Sequence, residues 1–477
     1  MRIKKFKYGI RGATILQFVS KYATILVQLV LTAILARLIS PDDFGVLSIV
    51  TIFTTFFQLF SDMGIGTAII QYQELTEKDY GRLFVFSIFL AVGLTCLFCI
   101  IAFPISIIYN DSRLVLLCIA SSPALIFNTI NMVPNGLILK EKKFATIACR
   151  LIVSTFLSGL VAVFMAIAGA GCYSLVFQSV LSSLIIFCWN FITRPIHCLS
   201  IHFVKSLKSI FSYSAYQFGF SFINYFNRNL DNLVIGRILG TENLGYYDKA
   251  YKLTTYPMNN ISTVIASVIQ PYMAESQDNP ERIFICWYKI TKFLSLVGAY
   301  VATFFFVSAP EIIVFFYGPQ WVPSIPIFQV LSITIYFQML GNPSGAFFQS
   351  LGRTDLMFRQ GILNTSFTII ALVIGSLIGS LSAFSICICV SFCLQIIPII
   401  YYLLIKAMHV SLSVLYNFIP EIMTAFLTVV IIFLFESFSS LPMFLSLICK
   451  ILISSICFLV SYVITGNLKI IISIIKR

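Results

Sequence analysis

Charge is scarce in this sequence. Of 477 residues only 10% are Asp, Glu, Lys or Arg, against about 25% in a soluble domain. With 59% hydrophobic residues and a mean hydropathy of +0.97, the shortage excludes a soluble globule and makes the solvent a bilayer. Histidine is nearly missing too: His197 and His202 share one polar loop and His409 lies in another. No cysteine pair has histidine partners at metal-binding spacing, so no metal site is expected. Most of the 13 cysteines fall inside apolar runs, where they act as small hydrophobes. No GxxxxGK[ST] loop occurs, which excludes a P-loop ATP site. The net charge of +13 does not imply nucleic acid, because the basic residues sit in short tracts between apolar runs.

What the chain has is apolar length. Spanning takes about 20 mostly apolar residues. Such runs fall near 13–36, 44–71, 83–108, 114–139, 146–168, 172–193, 212–238, 251–273, 290–317, 325–349, 361–380, 382–405, 418–438 and 442–465. That predicts an all-α integral membrane protein of about fourteen transmembrane helices. The basic start resembles a signal peptide, but no small-residue cleavage site follows and the apolar run is long enough to span, so it reads as an uncleaved first helix. Gly375, Gly379 and Ser380 mark a very tight turn between two of the spans.

The basic residues orient the chain. Counting the segments between spans alternately, only Arg37, Arg113, Arg237, Lys249 and Lys252 of the 31 lysines and arginines fall on one side. Apart from Lys21, Arg228 and Lys450 inside spans, the rest fall on the other side, with both termini. Both termini are therefore expected in the cytoplasm.

The chain also repeats itself. "LTAILARLISPDDFGVLSIV" from Leu31 echoes "RNLDNLVIGRILGTENLGYYDKA" from Arg228. A shift of 200 lays Arg37 on Arg237, Phe44 on Leu244 and Gly45 on Gly245. Two six-helix lobes in the same orientation follow, related by a pseudo-two-fold axis along the membrane normal. The expected division is an N-lobe over 1–200, a C-lobe over 201–408 and an appended helix pair over 409–477.

Polar residues recur at steps of three or four along several spans, which puts them on one helix face. Gln17, Lys21, Thr24, Gln28 and Thr32 do so in the first span, and Thr51, Thr55, Gln58 and Asp62 in the second. Asn128, Asn131 and Asn135 follow in the fourth, then Gln217, Asn224, Arg228 and Asp231, then Asn259, Asn260, Thr263 and Ser267. Each stripe alone could be hydrogen-bonding glue between helices. Together, over both halves, they favour a wet lumen. A charge at mid-bilayer costs about 2.5–3.5 kcal/mol, so Lys21 and Arg228 are best placed against water or an anionic ligand. Arg228 and Asp231 could also neutralise one another. Lys21, Gln28, Asn224, Arg228 and Asn259 are the expected substrate-binding residues, and Asp62 and Asp231 the candidates for ion coupling. Glu311 reads as interfacial, and Lys450 has no assigned role.

The segments "LTAILARLISPDDFGVLSIVTIFTTFFQLFSDMGIGTAIIQ", "NYFNRNLDNLVIGRILGTENLGYYDKAYKLTTYPMNNISTVIASVIQPYMA" and "APEIIVFFYGPQWVPSIPIF" resemble the polysaccharide-transporter family of bacterial oligosaccharide (Wzx-type) flippases. The resemblance covers roughly residues 10–405. It implies the multidrug/oligosaccharidyl-lipid/polysaccharide exporter fold. It also implies an undecaprenyl-pyrophosphate-linked oligosaccharide as substrate, moved across the bacterial cytoplasmic membrane by a monomer without cofactor. A polysaccharide polymerase and a chain-length regulator are the partners such a protein would serve. A peptidoglycan-precursor flippase or a drug/cation antiporter of the same fold remains an alternative. A membrane glycosyltransferase is disfavoured, since the outer segments are short and carry few carboxylates.

Overall fold

The computed structural model describes residues 10–62, 65–66, 69, 74–141, 143–197, 222, 225–226, 228–262, 280–438 and 441–467. It is helical throughout, with no strand among these residues. In hydrocarbon no water is present to bond an open backbone, so apolar runs of this length must close their hydrogen bonds internally. Among the described residues twelve helices are long and apolar enough to cross a membrane. The expected spans 212–238 and 251–273 lie largely outside the described residues. The protein is a multi-pass membrane protein.

The chain divides into two compact units, Met1–Gly245 and Tyr246–Arg477. The first holds α1 (Ile10–Leu38), α2 (Pro41–Asp62), α3 (Glu77–Tyr109), α4 (Arg113–Ile130), α5 (Met132–Lys140), α6 (Phe144–Ile167) and α7 (Cys172–Thr193). Helix α8 (residues 228–238) follows, and α9 (Thr241–Pro257) begins in this unit.

Helix α6 shows why these sequences pack as they do. Its buried face is Ala148, Arg150, Ser154, Ser158, Gly159, Ala162 and Ala166. Its exposed face carries Leu151, Phe156, Leu157 and Phe164. Lipid tails are as apolar as leucine, so large side chains gain nothing by turning inward. Small residues let backbones approach instead. A Cβ on Gly159 would overlap the Leu31 side chain of α1.

The second unit is built on α10 (Pro280–Val307), followed by α11 (Ala309–Tyr317), α12 (Ser324–Gly341), α13 (Ser344–Ser350), α14 (Thr354–Ile378), α15 (Leu381–Leu394), α16 (Ile396–Ile400), α17 (Ile419–Phe438) and α18 (Met443–Ile464). Helix α14 ends where the sequence places its turn. Gly379 adopts φ +73° and Ser380 Oγ accepts the Ala383 N–H at 3.3 Å to start α15. Glycine meets this backbone conformation without a Cβ clash.

The repeated hairpins share their boundaries. Helix α1 ends at Leu38 and α2 starts at Pro41; α8 ends at 238 and α9 starts at Thr241. The shift of 200 read from the sequence thus holds at the level of local structure.

Candidate functional site

The expected lumen residues whose side chains the structure describes fall on three elements. Lys21 and Gln28 are exposed on one face of α1, with Thr24 half-buried between them and its Oγ1 donating to the Ser20 carbonyl at 2.8 Å. Arg228 is exposed on α8. Asp231, three residues on, is buried, and its Oδ1 accepts the Asn232 N–H at 2.9 Å. Asn259 is exposed in a π-helical turn, Met258–Ser262, of the second unit. Asn224 lies outside the described residues, as does the side chain of Asp62, the last residue of α2. A lysine and an arginine exposed within apolar runs need water or an anion against them.

A second polar group is one the sequence reading passes over. Arg150 of α6 is only 6% exposed. Its Nη1 donates to Asn190 Oδ1 of α7, and its Nη2 to Asn135 Oδ1 of α5 at 2.7 Å. Asn190 Nδ2 in turn donates to Asn131 Oδ1 at 2.7 Å. The asparagine stripe of the fourth span therefore gathers a cation. Among the described residues no carboxylate pairs with Arg150, and its buried Nε has no hydrogen-bond partner. Arg150 stands four residues inside its apolar run, where a long cationic side chain is expected to reach the headgroups. No sequence signal reveals that Asn190, forty residues on, turns it inward.

Four further buried charges form two ion pairs. Lys292 of α10 pairs with Glu421 of α17 at 2.5 Å, and both are nearly fully buried. Asn467 Nδ2 adds a bond to the same carboxylate at 3.3 Å. Lys450 of α18 donates to the Val307 carbonyl at 2.8 Å and to Glu311 Oε1 at 2.6 Å, and pairs also with Glu436. The structure thus corrects the interfacial reading of Glu311: it is 7% exposed and holds Lys450. Helices α17 and α18 are fixed to the α10–α11 segment by two ion pairs of opposite polarity. A buried charge is tolerable when it is paired and hydrogen-bonded.

Outside the spans, charges tie loops together. Arg113 pairs with Asp111 at 2.6 Å and with Asp42 at 2.8 Å, joining two turns. At the other end of the helices Arg194 bonds Glu77 and Glu141, and Lys143 bonds Glu141. Partial burial opposes ionisation of Asp111 and Glu141, but the hydrogen bonds and charges of Arg113, Lys143 and Arg194 outweigh it. Both carboxyls are held below their ordinary values.

Residues 34–326 match the family described as "Polysaccharide biosynthesis protein". The chain is 26% identical over 376 residues to the lipopolysaccharide biosynthesis protein WzxC of Escherichia coli (strain K12), covering 75% of this chain and 73% of that protein. It is 27% identical over 342 residues to the teichuronic acid biosynthesis protein TuaB of Bacillus subtilis (strain 168), covering 71% of each. Among solved structures, the lipid II flippase MurJ superposes with a TM-score of 0.75, covering 95% of this chain and 99% of MurJ at 11% identity. At that identity the likeness concerns the fold.

Proposed function

Because the chain belongs to the polysaccharide biosynthesis protein family, we propose that it is a flippase. It moves undecaprenyl-pyrophosphate-linked oligosaccharide repeat units across the bacterial cytoplasmic membrane by alternating access. The observation that carries this reading is the exposure of Lys21, Gln28 and Arg228 within apolar spans. A pyrophosphate cannot cross hydrocarbon unaided, and a sugar brings many hydroxyls. Cations and amides on a wet face replace the water around such a head group, while the isoprenoid tail stays in the bilayer.

In this reading Arg228 and Lys21 meet the pyrophosphate, and Gln28, Asn224 and Asn259 meet the glycan. Asp62 and Asp231 respond to the coupling ion. The lobes 1–200 and 201–408 rock against one another, with residues 409–477 as an added pair. Both termini lie in the cytoplasm. The protein works as a monomer, catalyses no covalent step, and delivers its cargo to a polymerase and chain-length regulator.

Expression in a strain lacking its own O-unit flippase tests this, with surface polysaccharide as readout. Restored surface glycan is expected. Rescue of a strain lacking its lipid II flippase, with no rescue in any of several O-unit systems, would instead assign peptidoglycan precursor as cargo.

A further inference from the structure

The Arg150 cage is an anion site in its chemistry. Everything it leaves over is a donor. Asn131 and Asn135 each spend Oδ1 inside the cage, which leaves their Nδ2 groups, and both residues are half-buried rather than sealed. The Nε–H of Arg150 is buried without a partner. No carboxylate among the described residues balances the guanidinium. A desolvated charge held only by carboxamide oxygens is incompletely compensated. Guanidinium is the side chain whose planar fork fits phosphate oxygens.

Depth points to the source of the anion. Arg150 is the seventh residue of α6, about 9 Å along the axis from its first residue at 1.5 Å per residue. Asn190 lies three residues before the end of α7 at Thr193, and Asn135 five residues before the end of α5 at Lys140. Those ends carry Glu141, Lys143 and Arg194, on the side to which the basic residues assign the cytoplasm. The cage therefore sits just beneath the headgroups of one leaflet, at the level of a phosphate on a membrane-anchored isoprenoid.

We propose that Arg150, with Asn131 and Asn135, forms a diphosphate-binding station on the cytoplasmic-leaflet side of the first unit. Its assignment to a phosphate-bearing anion rests on the cage; the diphosphate and the lipid carrier rest on the flippase reading.

Thermal unfolding of the purified full-length protein in detergent, titrated with geranylgeranyl diphosphate, with geranylgeraniol or with inorganic pyrophosphate, tests the site without any transport assay. The wild type should be stabilised by geranylgeranyl diphosphate and not by the alcohol. Arg150→Gln should weaken that response at least tenfold in apparent affinity, and Arg150→Lys should recover part of it. Asn135→Asp supplies a resident carboxylate. It should raise the unfolding temperature of the unliganded protein and weaken the ligand response as Arg150→Gln does, which also covers the case in which Arg150→Gln does not fold. A response to inorganic pyrophosphate alone, lost in Arg150→Gln, would keep the site and remove the lipid carrier as its ligand. No stabilisation of the wild type by either diphosphate, or an undiminished response in both Arg150→Gln and Asn135→Asp, would overturn the proposal. Failure of glycan export with this binding intact would instead count against the flippase reading.

Discussion

Gly45 and Gly245 lie against each other. A Cβ on Gly45 would sit 3.1 Å from the Gly245 nitrogen, and a Cβ on Gly245 would sit 3.2 Å from the Gly45 nitrogen. Each would also overlap a backbone carbonyl oxygen, of Thr241 for Gly45 and of Pro41 for Gly245. Positions 41 and 241 correspond under the same shift as 45 and 245, so the contact is reciprocal. This is the mark of a local two-fold relation. Asp42 accepts a hydrogen bond from Thr241 across it.

Gly45→Ala and Gly245→Ala should therefore destabilise to similar extents. Overpacking costs about 1–3 kcal/mol, and here the obstacle is backbone that cannot rotate away. Unfolding temperatures of the two variants check this. Gly93, with nothing within 4 Å of its Cβ position, is the control, and Gly93→Ala should be neutral or stabilising.

Lys450→Gln leaves the Glu311 carboxylate buried without its cation, and a loss of about 3–5 kcal/mol is expected. Neutralising both buried members, Lys450→Gln with Glu311→Gln, should restore most of it, because the remaining partner Glu436 is exposed to solvent. A double-mutant cycle by thermal unfolding measures the coupling. Additive losses would show that the two side chains act independently.

Much of this was legible in the chain. Apolar run length marked the twelve spans found among the described residues, and the turn at Gly379 and Ser380 followed from residues that tolerate it. The repeat survived as shared helix ends and paired glycines. The buried ion pairs were not legible. Lys292 and Glu421 are 129 residues apart, and each alone resembles a charge near a span end. The same holds for Arg150 and Asn190, where a cation of ordinary appearance becomes unusual only through the neighbours that enclose it.

Arg228 and Asp231 allow a direct test of the lumen assignment. Arg228→Gln should abolish glycan export at normal membrane abundance. If the pair is structural, adding Asp231→Asn should restore export. If Arg228 meets phosphate, the double variant should stay inactive. Surface glycan together with protein abundance distinguishes the two.

Acid should loosen the loops through Asp111 and Glu141. Their carboxyls lie below the ordinary values of 3.8 and 4.5. The stability they contribute is complete above those values and is lost as pH falls through the lower, folded-state ones. Glu141→Gln should lower stability at neutral pH and flatten the loss below about pH 4.5. Unfolding temperature against pH for both proteins reads this out.

Translocation in reconstituted vesicles tests the flippase reading most directly. Vesicles carrying a labelled undecaprenyl-pyrophosphate oligosaccharide, with and without the protein, are exposed to a membrane-impermeant glycosidase. The account predicts that the protein raises the accessible fraction from the outer-leaflet share to nearly all of the label, and that Arg228→Gln does not. Accessibility equal to that of protein-free vesicles, with folded protein present and several glycans tried, would contradict it.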